Sequence, residues 1–200
     1  DLGLFKGAGT ELSDCEGGTV IPGFNDAHCH PLSLAISLLS VDCSPKAVKN
    51  IVEIQARIRH QIEQTKEGKW IRAAGYDEHY LSEKRPPNRW ELDQASPQHP
   101  VILTHSTAGN CVLNSLALQL AGITRDTPES LGSLIDRDPE TGEPNGLIVG
   151  RNEYVERAIP LLDEEGLEQG MKLANQEYLS HGITSLQDTS WSNGWHHWQT

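Results

Sequence analysis

Val20–Pro31 reads VIPGFNDAHCHP, running from a β-branched, apolar start to an acidic, imidazole-bearing end and closing on proline. Thr19–Phe24 (TVIPGF) is the opening of a buried strand that continues through Asp26 to His30, where Pro31 stops the ladder. Alternate residues of a strand point to the same side, so His28 and His30 project together while Cys29 turns away. Two imidazoles on one side of a strand end are two neutral nitrogen ligands set for zinc or a similar divalent metal. The competing reading is a chance pair, because nine histidines in 200 residues make a His-x-His match easy to find.

Outward from this strand, the chain alternates strands with helices. Val48, Ile51, Ile58 and Ile62 recur at helical spacing within Pro45–Lys66, with Ser44-Pro45 as the predicted start and Gly68 as the end. Trp70–Tyr76 (WIRAAGY) reads as a strand, followed by the loop KRPPN and a short helix near Arg89–Ala95. Val101–His105 (VILTH) is a further buried strand, and Leu113–Leu120 a helix stopped by Gly122. Two apolar arms around DPETGEP predict a β-hairpin over residues 132–150, lying outside the parallel sheet as a rim or lid. Helix resumes at Glu153, a longer one covers Gly166 to Ser180, and Ile183–Asp188 (ITSLQD) is the last strand. Residues 8–19 are small, polar and Gly-rich, and read as short strands and turns. Strands alternating with helices imply parallel strands joined by right-handed crossovers. Both a doubly wound sheet and a (β/α) barrel satisfy that order.

The formal charge of −12, from 28 acids against 16 bases, argues against a nucleic-acid partner, since phosphates are repelled. No apolar run has the length of a membrane span, and residues 1–15 lack the basic start and apolar core of a signal peptide. Cys15, Cys29, Cys43 and Cys111 form no CxxC pair and no disulfide spacing, so a reducing, cytoplasmic setting is expected. Cys15, Cys43 and Cys111 read as small core residues rather than nucleophiles, and strand parity turns Cys29 away from the histidines.

VIPGFNDAHCHP resembles the strand that opens the barrel of the amidohydrolase superfamily and carries its first two metal ligands. WIRAAGYDE, RPPNRWELDQASPQHPVILTH, LNSLALQLAGI, TGEPNGLIVG and HGITSLQD follow in order and are similar to the branch that contains N-substituted formamide deformylases. The resemblance runs from about Gly9 to Thr189. It implies an α/β fold built as a partial (β/α)8 TIM-like barrel, about its first four strands, with the hairpin inserted. Residues 1–19 would be the remnant of a small N-terminal β-sandwich and residues 20–200 the N-terminal half of the barrel. Val20–His30 and Ile183–Asp188 would then be the outer strands of an incomplete array.

By the same resemblance His28 and His30 are metal ligands, the metal is a divalent ion such as zinc, and the substrate is a small molecule with a non-peptide carbon–nitrogen bond. The other ligands and the acid–base residue have no counterpart among these residues, so the fragment alone is expected to be inactive. Tyr76, Asp77, His105 and Asp188 fall at predicted strand ends and are candidates to line the substrate pocket. Asp188 has a second reading as the cap of the Asp-Thr-Ser turn, and Tyr76 with Asp77 as part of a surface loop. His196 and His197, among Trp191, Trp195 and Trp198, carry no defined geometry and are read as packing residues. Two positions depart from the family pattern: Ala108-Gly109 stands where a Gly-His pair is common, and Gly150 where relatives often carry an acid. Both favour a rival reading, a catalytically dead barrel or binding module.

Overall fold

The structure is a computed structural model and describes residues 2–129, 131–150 and 152–190. Its strands are β1 (Phe24–Cys29), β2 (Val41–Asp42), β3 (Ile71–Tyr76), β4 (Val101–His105), β5 (Asn110–Leu113), β6 (Leu134–Arg137), β7 (Pro144–Val149) and β8 (Ile183–Asp188). Its α-helices are α1 (Pro31–Leu38), α2 (Ile51–Ile62), α3 (Arg89–Ala95), α4 (Ser115–Leu120), α5 (Glu153–Ala158) and α6 (Glu164–Ser180). The α/β alternation expected from the sequence is present, but the strands divide between two sheets. β1 pairs in parallel with β8, while β2-β3-β4-β5-β7-β6 form a mixed sheet of six. The arrangement is that of a partial, incompletely closed barrel with extra strands, its members divided between a parallel pair and a mixed sheet. Val20–His30 and Ile183–Asp188, expected at opposite edges, are neighbours.

The six-stranded sheet holds most of the buried apolar side chains, and strand parity explains how. Val101 and Leu103 of β4 face one side, with Ile71, Ala73 and Val112 from neighbouring strands and Ile54 and Ile58 of α2. Ile102 faces the other side, with Leu113, Ile135, Ile148 and Leu118 of α4. A strand covered on both faces reads as the unbroken apolar run VIL rather than an alternation. β2 to β4 run parallel; β4, β5, β7 and β6 are joined antiparallel.

β5 was not legible because Asn110–Leu113 (NCVL) merges with the apolar run of α4, and only the buried Asn114 separates them. The Asn114 side chain accepts from the Val101 and Ala117 amides at 2.9 and 3.0 Å, and donates to the Ser96 and His99 carbonyls at 3.0 and 2.9 Å. Ser115 adds two bonds to Asp93, 2.9 Å from its amide and 2.6 Å from its hydroxyl. The family-like words ELD and LNS are thus one stitch between α3, β4 and α4. The hairpin expected from the sequence is present as β6 and β7 and lies beyond the parallel strands β2 to β4, but it joins their sheet through β5. β7 is central but antiparallel to both neighbours.

Local chemistry moved several boundaries. α2 begins six residues later than Pro45, because Asn50 is extended and its side chain accepts the Glu53 amide at 2.9 Å. Residues 44–48 make a turn instead, with the Ala47 and Val48 amides on the Ser44 carbonyl. Pro31, read only as a strand terminator, also starts α1, where its fixed φ suits a first helical position. α1 lies against α6; a side chain at Gly170 would press on Ala35 and Leu39 at 3.0–3.2 Å, so glycine sets the approach of the two helices. The strand expected over Val20–His30 shortens to β1 and is largely exposed, with Cys29 its buried residue. Residues 2–19 form a 3-10 helix, Leu2–Phe5, and exposed turns in place of the expected short strands. No helix among the described residues is long and apolar enough to cross a membrane.

Candidate functional site

His28 and His30 stand at the C-terminal end of β1, with ring centres 5.5 Å apart and rings perpendicular. Their placement follows from a local irregularity. The β1–β8 register shifts between Asp26 and Cys29, and the Asp26 carboxylate accepts the His28 amide at 3.1 Å across that step. Cys29 turns the other way, into the layer of α6, where its thiol donates to the Gln187 carbonyl at 3.4 Å. Burial raises its pKa above the ordinary thiol value, against a lowering hydrogen bond with Tyr178. The histidines therefore occupy the face away from α6, the side that becomes the interior when helices wrap the outside of a barrel.

This pair fits a metal by donor chemistry. A zinc-bound imidazole nitrogen lies about 2.0–2.1 Å from the ion, which puts its ring centre about 3.2 Å away, so rings 5.5 Å apart can share one ion. His30 Nδ1 is 3.1 Å from the Ser190 hydroxyl. A proton held on Nδ1 by that contact leaves Nε2 free as a ligand. Asp188, in register with Cys29 at the end of β8, accepts the Ser190 amide at 2.8 Å and so fixes the turn that presents Ser190.

A second group lies at the C-terminal ends of β3 and β4. Asp77, Glu78 and His105 each offer a ligand atom, all within 4.8 Å of one another, and among the described residues this is the cluster of three that can hold a metal ion. Asp77 accepts from the amide of His79 at 2.9 Å and its ring at 3.0 Å; the amide first, then the ring, hold its carboxyl below the usual carboxylate range. Glu78 Oε2 lies 3.1 Å from His105 Nε2. Both atoms are buried, and neither makes a hydrogen bond. His105 Nδ1 lies 2.8 Å from the Thr107 hydroxyl and receives the Thr107 amide at 3.1 Å. Tyr76 is buried behind them, its ring edge-on to His105 at 5.2 Å, and burial followed by the Glu78 charge pushes its phenol up.

Asp77 and His105 are thus brought together with Tyr76, while Asp188 sits apart on the β1–β8 sheet beside the other pair. Glu78 was missed as a site residue, although it closes the quoted word WIRAAGYDE. The signal lay in two strand ends, DE and H, carried by adjacent parallel strands, and their adjacency is not written in either. Cys15 is exposed, which corrects its reading as a core residue; Cys43 is fully buried, and burial pushes both its thiol and that of Cys111 up to about 12. The terminal segment with Trp191, Trp195, His196, His197 and Trp198 lies outside the described residues.

The comparisons with known proteins agree in kind. A model described as the amidohydrolase family matches residues 11–199. The chain is 32% identical over 192 residues to an N-substituted formamide deformylase of Arthrobacter pascens, covering 89% of this chain and 34% of that protein. It is 29% identical to the protein LONG AFTER FAR-RED 3 of Arabidopsis thaliana, covering 92% of this chain and 31% of the relative. It also resembles the crystal structure of an uncharacterized metal-dependent hydrolase from Pyrococcus horikoshii OT3, at 26% identity and a TM-score of 0.54, over 84% of this chain and 31% of that one. The chain spans about a third of the length of the relatives it matches.

Proposed function

This chain belongs to the amidohydrolase family, and from that premise we propose that the whole protein is a metal-dependent hydrolase of non-peptide carbon–nitrogen bonds, with an N-substituted formamide or related small amide as substrate. The observation that carries the reading is the paired His28 and His30 rings on the face away from α6 at the end of β1. They are the proposed ligands of a divalent ion, zinc by their nitrogen chemistry. Such an ion supplies Lewis acidity toward a carbonyl and acidifies water toward neutrality.

The chain's own residues set up that chemistry. The Asp26 carboxylate fixes the backbone step that aims His28. Ser190 orients the His30 ring and so acts as a positioning residue, itself held by Asp188. Neither histidine serves as a base in this reading. In the whole protein, residues 20–200 would belong to the hydrolase barrel and residues 1–19 to a neighbouring β-sandwich.

The test uses the whole protein, loaded with zinc and offered N-substituted formamides and simple amides while formate or amine release is followed. His28→Asn and His30→Asn should each cut turnover by about 100-fold or more and lower the zinc retained, since either change removes a direct ligand. Ser190→Ala should weaken zinc affinity about 10-fold. Full activity and full zinc content in the double histidine variant would remove the basis of the proposal.

A further inference from the structure

We propose that Asp77, Glu78 and His105 form a second site, for a divalent transition-metal ion, on the six-stranded sheet and separate from the His28–His30 pair. Two polar atoms of this cluster lack partners. Glu78 Oε2 and His105 Nε2 are buried without hydrogen bonds, and the His105 side chain is only 10% exposed. A buried polar atom left unsatisfied loses its hydration with nothing in return. One cation between these atoms satisfies both.

The spacing suits that occupant. Ligands about 2.0–2.2 Å from a metal stand about 3.0–3.5 Å from one another, and the two orphaned atoms are 3.1 Å apart. Asp77 closes the third corner within 4.8 Å. Its carboxylate is oriented by the His79 amide and ring, while its side chain and that of Glu78 remain 22% and 28% exposed, so water can complete the coordination. Two carboxylates balance a double positive charge. An imidazole ligand selects against magnesium and calcium, which prefer all-oxygen shells, and favours zinc or manganese.

His105 is also held for the task. A proton on Nδ1, donated to the Thr107 hydroxyl at 2.8 Å, leaves the Nε2 lone pair free as a ligand. The competing occupant of the gap is a proton: with Nδ1 receiving the Thr107 amide, the ring carries its hydrogen on Nε2. Metal and proton are mutually exclusive there, and measurement separates them. The His28–His30 pair is not part of this cluster and lies on the other sheet.

The experiment measures zinc and manganese bound per chain of the whole protein by equilibrium dialysis in excess magnesium. The His28→Asn/His30→Asn variant should keep one equivalent of zinc, and adding Glu78→Gln or His105→Asn should abolish it. In the wild-type chain, Glu78→Gln should remove one equivalent. A second readout needs no substitution: in uniformly 15N-labelled wild-type chain, saturating zinc should shift the His105 Nε2 resonance. If that resonance does not move, or if Glu78→Gln and His105→Asn bind as much zinc as their parents, the second site does not exist. Equal zinc in wild type and the His28→Asn/His30→Asn variant would instead count against the proposed function alone.

Discussion

Gly150 turns the chain out of β7 with φ at +78°, and a β-carbon built there would run into the carbonyl oxygen of Gly132. That oxygen is backbone and has no rotamer by which to yield. The glycine is therefore required by the end of the hairpin, and the missing acid at this position is a consequence of how the strand ends here. It carries no weight for the catalytically dead reading. Gly109 differs: a side chain there would meet only the Thr107 hydroxyl, at an ordinary 3.7 Å, and its φ is not left-handed. Ala108 beside it is left-handed at +57°, a conformation that glycine adopts more easily. Restoring the family's acid by Gly150→Glu should destabilise the chain by about 3 kcal/mol or more, the sum of left-handed strain and a backbone collision. Gly109→His should change stability by less than about 0.5 kcal/mol. Denaturant melts of the two variants decide it; an unchanged midpoint for Gly150→Glu would mean the hairpin end can rearrange, and the acid's absence would again need explaining.

Among the elements, α3 shows how a helix of seven residues is held in place. Asn88 and Glu91 form a reciprocal capping box, and Arg85 grips both Glu91 oxygens at 2.9 and 2.6 Å. Arg85 first, then the Asn88 amide, hold the Glu91 carboxyl below its usual range. A carboxylate whose pKa is depressed on folding stabilises the fold fully above its unfolded value, about 4.3, and loses that contribution as pH falls through the lower folded value. Glu91→Gln keeps an acceptor for the cap but loses the ion pair, so it should cost about 1 kcal/mol at pH 7. The gap to wild type should close as pH drops below about 4; a gap unchanged down to pH 2 would assign the effect to packing. This element was legible because its signals are local: NRWE is a cap followed by an acid three residues on. β3, β4 and β8 were legible for the same reason, as short apolar runs bounded by turns. α1 and β2 were not, since Pro31 also reads as a stop and a strand of two residues has no period. The histidine pair was likewise local, two residues apart on one strand. The Glu78–His105 contact joins residues on adjacent strands, and pairing between strands is decided by tertiary packing that no single run of residues records.

At the scale of the whole molecule, the two sheets differ in how much they bury, and that difference governs which part opens first. In the six-stranded sheet Ile71, Val101, Leu103, Val112, Leu113 and Ile148 are at most 1% exposed, with helices on both faces. In the parallel pair Phe24 is 57% exposed and Leu186 44%, and Cys29 is the residue of β1 that is buried. Local opening is least costly where few apolar contacts are lost, so the pair should open independently of the larger sheet. The proposed metal ligands His28 and His30 thus sit on the less protected sheet, and Glu78 and His105 on the better protected one. In hydrogen exchange on the metal-free chain, amides of the β1–β8 ladder should exchange about 100-fold or more faster than those of Leu103, Val112 and Ile148, which corresponds to about 3 kcal/mol of difference in opening free energy. Adding zinc should then slow exchange around His28 and His30 more than at β4, because a ligand protects most where the open state is most populated and cannot bind it. Uniform protection across both sheets before zinc is added would show that the chain opens as one cooperative unit, with no division between a stable sheet and a loosely held strand pair.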